Sequence, residues 1–172
     1  MLDSPVTVSR VSPDAGPLAG GNEVDIQGTD LLKTTDVTLD GQPAKFMILS
    51  ATELRATIPS GPSSTKEVAL TVTAPDGTGG AAYWYLAPPK VTSLSQTTGT
   101  SGSSIQVSGA DFIQVTAVYF GSTPATSFQV EGDRELRVVV PSGGVGTVDV
   151  VVETPGGKSA QTSVDQFTYL PG

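Results

Sequence analysis

GTVDVVVETPGGKSAQTSVDQFTY, residues 146–169, decides the fold. Val148, Val150 and Val152 alternate with Asp149, Val151 and Glu153, the period of two expected of a strand with one face buried. Thr154-Pro155-Gly156-Gly157 follows, a turn whose glycines are free to take positive φ. Beyond a polar stretch, Phe167 and Tyr169 flank Thr168 in a second alternating run. The same design stands about half a chain earlier: Val68, Leu70 and Val72 alternate, Ala74-Pro75-Asp76-Gly77 turns, and Tyr83 and Tyr85 flank Trp84. A strand–turn–strand that occurs twice marks the chain as a duplicated module.

Working outward, the second half overlays the first at an offset of about 81 residues. Gly21 matches Gly102, and Val24 and Ile26 match Ile105 and Val107. Gly28-Thr29-Asp30-Leu31 matches Gly109-Ala110-Asp111-Phe112, and Pro43-Ala44 matches Pro124-Ala125. One residue is then added, and Glu53-Leu54-Arg55 matches Glu135-Leu136-Arg137. The matched positions are turn glycines, prolines and the alternating apolar set, which backbone geometry and core packing constrain.

About seven strands per repeat are predicted, near 6–11, 23–27, 36–39, 44–49, 53–58, 67–73 and 81–86. In the second repeat they fall near 90–94, 104–108, 116–120, 125–130, 134–140, 147–153 and 165–170. Short strands with turns of Gly, Pro, Asp and Ser give an all-β chain of two tandem immunoglobulin-like β-sandwiches. A parallel α/β fold is excluded, because no stretch can serve as a crossover helix. The expected division is residues 1–87 and 88–172, at Leu86-Ala87-Pro88-Pro89-Lys90. Two prolines make that connector short and stiff, so two sandwiches end to end in a fixed, elongated arrangement are expected.

Composition limits function. The chain has 172 residues, no Cys and no His, which removes thiol chemistry, the commonest general base and the commonest metal ligand. A net charge of −8 disfavours nucleic acid and anionic membrane surfaces, both of which need clustered positive charge. No run approaches the ~20 apolar residues needed to cross a bilayer, and membrane insertion is not expected. The opening MLDSPVTVSRVSPDAG has neither the basic nor the apolar segment of a signal peptide. The expected location is a virion or cytoplasmic assembly, or outside the cell if the chain is a fragment of a secreted protein.

Several motifs taken together resemble a known family. Val11-Ser12-Pro13-Asp14-Ala15-Gly16-Pro17, Gly20-Gly21-Asn22-Glu23-Val24 and Ile26-Gln27-Gly28-Thr29-Asp30-Leu31 look like the opening of an IPT/TIG domain. Val118-Tyr119-Phe120-Gly121 through Phe128 resembles the family's central hairpin, and Thr154-Pro155-Gly156-Gly157 with Asp165-Gln166-Phe167-Thr168-Tyr169 its ending. These are immunoglobulin-like modules shared by plexins, some transcription factors and many bacterial and phage surface proteins. Two departures concern turns: Ser95-Gln96-Thr97-Thr98-Gly99 lacks the usual Pro, and Asp40 stands where the second copy has Gly121. The resemblance implies a sandwich and leaves function open, since this scaffold hosts many.

No catalytic, cofactor-binding or metal-binding residue is assigned. The acids fall mostly at turns or outward strand positions, and no Ser or Thr has a His to activate it. Calcium is the one metal that oxygen ligands alone would hold, but no dense acidic cluster supports a site. Trp84 is the candidate partner-binding residue. It matches Thr168, so it should face outward, where it either packs locally or contacts a protein or sugar. Val138-Val139-Val140 and Val150-Val151-Val152 are apolar on both faces, which suggests outer strands of the second repeat covered by a partner. The expected function is a non-enzymatic structural or binding protein, a rigid two-module spacer or decoration in an assembly such as a phage virion or bacterial particle. The alternative is a glycan-binding or spacer fragment of a secreted bacterial surface protein or glycoside hydrolase, with a polysaccharide as partner. The intracellular transcription-factor branch is disfavoured by charge.

Overall fold

The computed structural model describes residues 5–172; the first four residues, part of the stretch read for a signal segment, lie outside them. Chain contacts divide the protein into two compact units, Met1–Leu86 and Ala87–Gly172. Each is an immunoglobulin-like sandwich with its own core.

In the first unit the strands are β1 (Thr7–Ser12), β2 (Ala15–Pro17), β3 (Glu23–Thr29), β4 (Asp36–Leu39), β5 (Gln42–Pro43), β6 (Lys45–Ser50), β7 (Glu53–Thr57), β8 (Lys66–Ala74) and β9 (Gly77–Leu86). One sheet has the order β1-β3-β7-β6, the other β2-β9-β8-β4-β5. The chain's opening segment changes sheets: β1 pairs antiparallel with β3, and β2 then runs parallel to β9. The alternating apolar residues Val24, Ile26, Leu54, Ala56, Leu70 and Val72 meet between the sheets, all fully buried, with Tyr83 and Tyr85.

The second unit repeats this plan. Its strands are β10 (Lys90–Leu94), β11 (Thr98–Gly99), β12 (Ser104–Ala110), β13 (Ala117–Phe120), β14 (Thr123–Pro124), β15 (Phe128–Gly132), β16 (Glu135–Val139), β17 (Gly146–Thr154), β18 (Gly157–Lys158) and β19 (Gln166–Tyr169). Its sheets are β10-β12-β16-β15 and β11-β19-β17-β13-β14, with β18 beside β17. Phe120, Phe167 and Tyr169 form an edge-to-face cluster with centroids 5.4–6.5 Å apart, a favoured aromatic geometry.

The seven expected strands of each repeat are present. The short pieces β2, β5, β11, β14 and β18 were not expected, because two or three residues carry no readable period. The Gly-x-Asp motif has a structural reason in both units. Asp30 and Asp111 take left-handed φ of 59°, and the amides after them, Leu31 and Phe112, donate to Ala51 O and Asp133 O at 2.9 Å. A Cβ on Gly28 or Gly109 would collide with the carbonyl of Thr7 or Lys90 on the neighbouring strand. At the central hairpin, Asp40 and Gly121 both have positive φ, 50° and 67°, so the Asp-for-Gly departure keeps the turn.

One expectation is corrected. Val138–Val140 and Val150–Val152 do not lie on outer strands. β16 runs between β12 and β15, and β17 between β13 and β19. Val138, Val150 and Val152 belong to the core. Val151, on the other face, is covered by the chain itself, in a depression formed with Tyr119, Lys158, Ser159 and Gln161. A run apolar on both faces here marks a central strand.

Candidate interaction surfaces

Trp84 follows the strand period: Tyr83 and Tyr85 are fully buried, and Trp84 between them is half-buried. It is paired on both sides, with Ala15 on β2 and Glu67 on β8, and its backbone N–H donates to Asp14 O at 2.8 Å. The next cross-strand pairs on its face are Ala82 with Ala69 and Gly80 with Thr71. These small side chains floor a shallow trough that Glu67 borders. In the second repeat the equivalent row is Thr98–Thr168–Thr147, and the Thr147 and Thr168 hydroxyls hydrogen-bond at 2.8 Å. The indole is therefore specific to the first repeat.

The second difference lies on β6, the edge of its sheet. Its sequence Lys45-Phe46-Met47-Ile48-Leu49-Ser50 has no charge between Lys45 and Ser50. Met47 is 63% exposed, Ile48 36% and Leu49 42%, and Leu32, in a 3-10 turn that contacts β6, is 64% exposed. The equivalent edge of the second repeat, β15, reads Phe128-Gln129-Val130-Glu131-Gly132, and Glu131 pairs with Arg137 at 3.5 Å. Charge on an edge strand discourages pairing with another chain; β15 carries it within the strand, at Glu131, whereas β6 carries it only at its first residue, Lys45.

The last strand differs as well. Five residues separate Gly77 from Tyr83, but nine separate Gly157 from Phe167. The added residues leave the sheet after β18 and return through a 3-10 turn, Ser163–Asp165, capped by Thr162. Asp165 is fully buried, and its Oδ2 accepts from the Thr162 N–H at 2.9 Å. Burial, and then the neighbouring Asp149 carboxyl, push its pKa upward, opposed by the Thr162 amide. The segment also walls an open groove lined by Pro88, Pro89, Lys90, Val91, Lys158 and Val164.

Asp30 and Asp111 serve turns, and among the described residues no group of three or more acidic side chains is placed to hold a metal. No described helix is long and apolar enough to cross a membrane.

Comparison with protein families decides what these two sandwiches are. The IPT/TIG domain model matches twice, at residues 5–85 and 89–169. The chain belongs to the IPT/TIG family. As tandem IPT/TIG domains it resembles solved structures of the plexin A4 extracellular region. One matches with a TM-score of 0.64 at 17% identity over 97% of this chain and 16% of the other. A second matches with a TM-score of 0.60 at 18% identity, over 96% and 18%. This chain thus spans less than a fifth of those structures, and at such identity the likeness shows the fold alone. SGBP-B from a xyloglucan utilization locus of Bacteroides uniformis matches with a TM-score of 0.44 at 16% identity, over 94% of this chain and 49% of that one, too distant to bear on function. No curated protein matches the sequence.

Proposed function

We propose that this pair of IPT/TIG domains is a non-enzymatic structural and binding module, a spacer or decoration within a larger protein assembly such as a virion or bacterial particle. One observation carries the reading: the repeats keep the same core and differ on their surfaces, most sharply at Met47-Ile48-Leu49 against Gln129-Val130-Glu131. A duplicated core supports a scaffold role, and an unprotected apolar edge on one copy supports a protein contact. The mechanism is shape: affinity comes from surface buried against a partner, without bond-making. Immunogold electron microscopy of native source material, with an antibody to this chain, tests it. Label at regular positions on particles is expected; label confined to free protein or to polysaccharide contradicts it.

A glycan-binding role is the second reading, favoured by Trp84 beside the trough floored by Ala69, Thr71, Gly80 and Ala82. An indole presents a flat apolar face with a polar edge, and the small residues leave room for an extended chain along it. Affinity electrophoresis through a panel of soluble polysaccharides separates the two readings. Retardation that Trp84→Ala abolishes supports glycan binding, and free migration through every polysaccharide counts against it.

A further inference from the structure

We infer that β6 pairs antiparallel with the β6 of a second copy, joining two first-repeat sheets edge to edge. The inference deepens the proposed assembly role and rests on it. Among the described residues β6 pairs only with β7, so its outer edge carries backbone donors and acceptors that only an extended strand matches along their length.

Four observations favour a copy of the same strand. The register with β7 sets the faces: Phe46 and Ile48 share the face of Ala56 and Leu54, and Met47 shares that of Arg55. Two-fold antiparallel pairing centred on Met47 therefore sets Phe46 opposite Ile48 of the other copy, apolar against apolar on one face, over the stretch before the register with β7 shifts between Ile48 and Ser50. Second, charge is complementary. That pairing sets Lys45 at the end of β6 where Ser50 pairs with the acidic Glu53 of β7, and it keeps the two Lys45 side chains at opposite ends. Third, Arg55, beside Met47, is already held by Asp25 at 2.9 Å, so no unpaired cation faces the axis. Fourth, Leu32 widens the apolar border of the same edge. One strand edge with these few apolar side chains covers less than the ~800 Å² per partner of a standard stable interface, so a reversible, concentration-dependent dimer is expected.

Sedimentation equilibrium of the whole chain over a wide concentration range tests this. The mass should rise from 17.5 kDa toward twice that value. Met47→Lys places like charges on the axis and should weaken association by about tenfold or more, while Val130→Lys on β15 should leave it unchanged. Because Met47 is 63% exposed, the variant should fold, which circular dichroism checks. The chain has no Cys, so Met47→Cys supplies a unique thiol; mild oxidation should give a covalent dimer, and Val130→Cys should not. A monomer at every concentration, or association indifferent to Met47→Lys, overturns the inference. If the chain stays monomeric yet decorates particles through β6, self-pairing fails and the assembly role stands. If dimers form and no particle carries the chain, the assembly role fails.

Discussion

Asp165 is buried beside Asp149, in the segment that makes the return to the last strand longer in the second repeat than in the first. Burial first, and the neighbouring Asp149 carboxyl with it, raise the pKa of Asp165, whose Oδ1 meets no N–H or O–H donor. A proton on Asp165 would give its carboxyl a donor to turn toward Asp149. The sign follows from linkage. The folded-state pKa of Asp165 lies above its ordinary 3.8, so the folded protein holds this proton more tightly than the unfolded chain. The contribution is fully present below the unfolded pKa and is lost as pH rises through the folded one. Asp165→Asn keeps an acceptor for the Thr162 amide and supplies a permanent donor to Asp149. It should flatten the decline of the second repeat's Tm between pH 4 and neutrality, and at pH 7 it should be at least as stable as the parent. Differential scanning calorimetry across that range reads the change.

The separate cores predict separate unfolding. Phe167 is fully buried, with its ring 5.5 Å from Phe120 and 5.4 Å from Tyr169. Phe167→Ala should cost the second repeat about 3–5 kcal/mol. Trp84 is the chain's only tryptophan and reports on the first repeat. In urea, tryptophan fluorescence should keep the parent midpoint, while far-UV circular dichroism gains an early transition.

Each repeat ties its last strand to a Pro-Ser-Gly segment. The Tyr85 hydroxyl donates to Pro59 O at 2.8 Å and the Tyr169 hydroxyl to Pro141 O at 2.9 Å. Gly61 and Gly143 make room for these rings: a Cβ on Gly143 would lie 2.7 Å from Tyr169 Cζ, whereas one on Gly144 meets open space. Chemical denaturation should show Tyr169→Phe costing about 1 kcal/mol. Gly143→Ala should cost about 1–3 kcal/mol, and Gly144→Ala less than about 0.5 kcal/mol. Burial pushes the Tyr85 hydroxyl up to about 12. Its stabilising contribution should therefore persist to pH 10 and fade as pH rises toward 12.

Gly109 is a sharper test of backbone approach. Its N–H donates to Arg134 O at 2.8 Å, and a Cβ there would strike the Lys90 carbonyl. The obstacle is backbone, which cannot rotate away. Gly109→Ala should destabilise the second repeat by more than about 2 kcal/mol, and Gly28→Ala should do the same in the first. Thermal denaturation of each variant compares them with the parent.

Most of the fold was legible in the sequence, because strand period and turn residues act locally. The matched pairs Val24/Ile105, Ile26/Val107 and Tyr85/Tyr169 are all buried. The outward turn of Trp84 was legible for the same reason, since Tyr83 and Tyr85 fix its neighbours inward. What sequence could not show was which strands lie at an edge. Val150-Val151-Val152 and Phe46-Met47-Ile48-Leu49 are both apolar runs. The first is covered on both faces, whereas Met47, Ile48 and Leu49 of the second are exposed, because strand order follows from long-range pairing that no local window contains. A sign was present: Gln129 and Glu131 occupy β15 at the place where β6 has only apolar residues. The Asp149–Asp165 pair was hidden because burial of Asp165 depends on the path of the inserted segment.

The central claim is that the duplicated IPT/TIG scaffold does its work through surfaces its copies do not share, β6 foremost. Hydrogen–deuterium exchange of the intact chain at low and high protein concentration tests it most directly, read on the amides of residues 45–50 and 128–132. The account predicts that β6 amides gain protection as concentration rises while those of β15 do not. Equal, concentration-independent exchange on the two edges would contradict it.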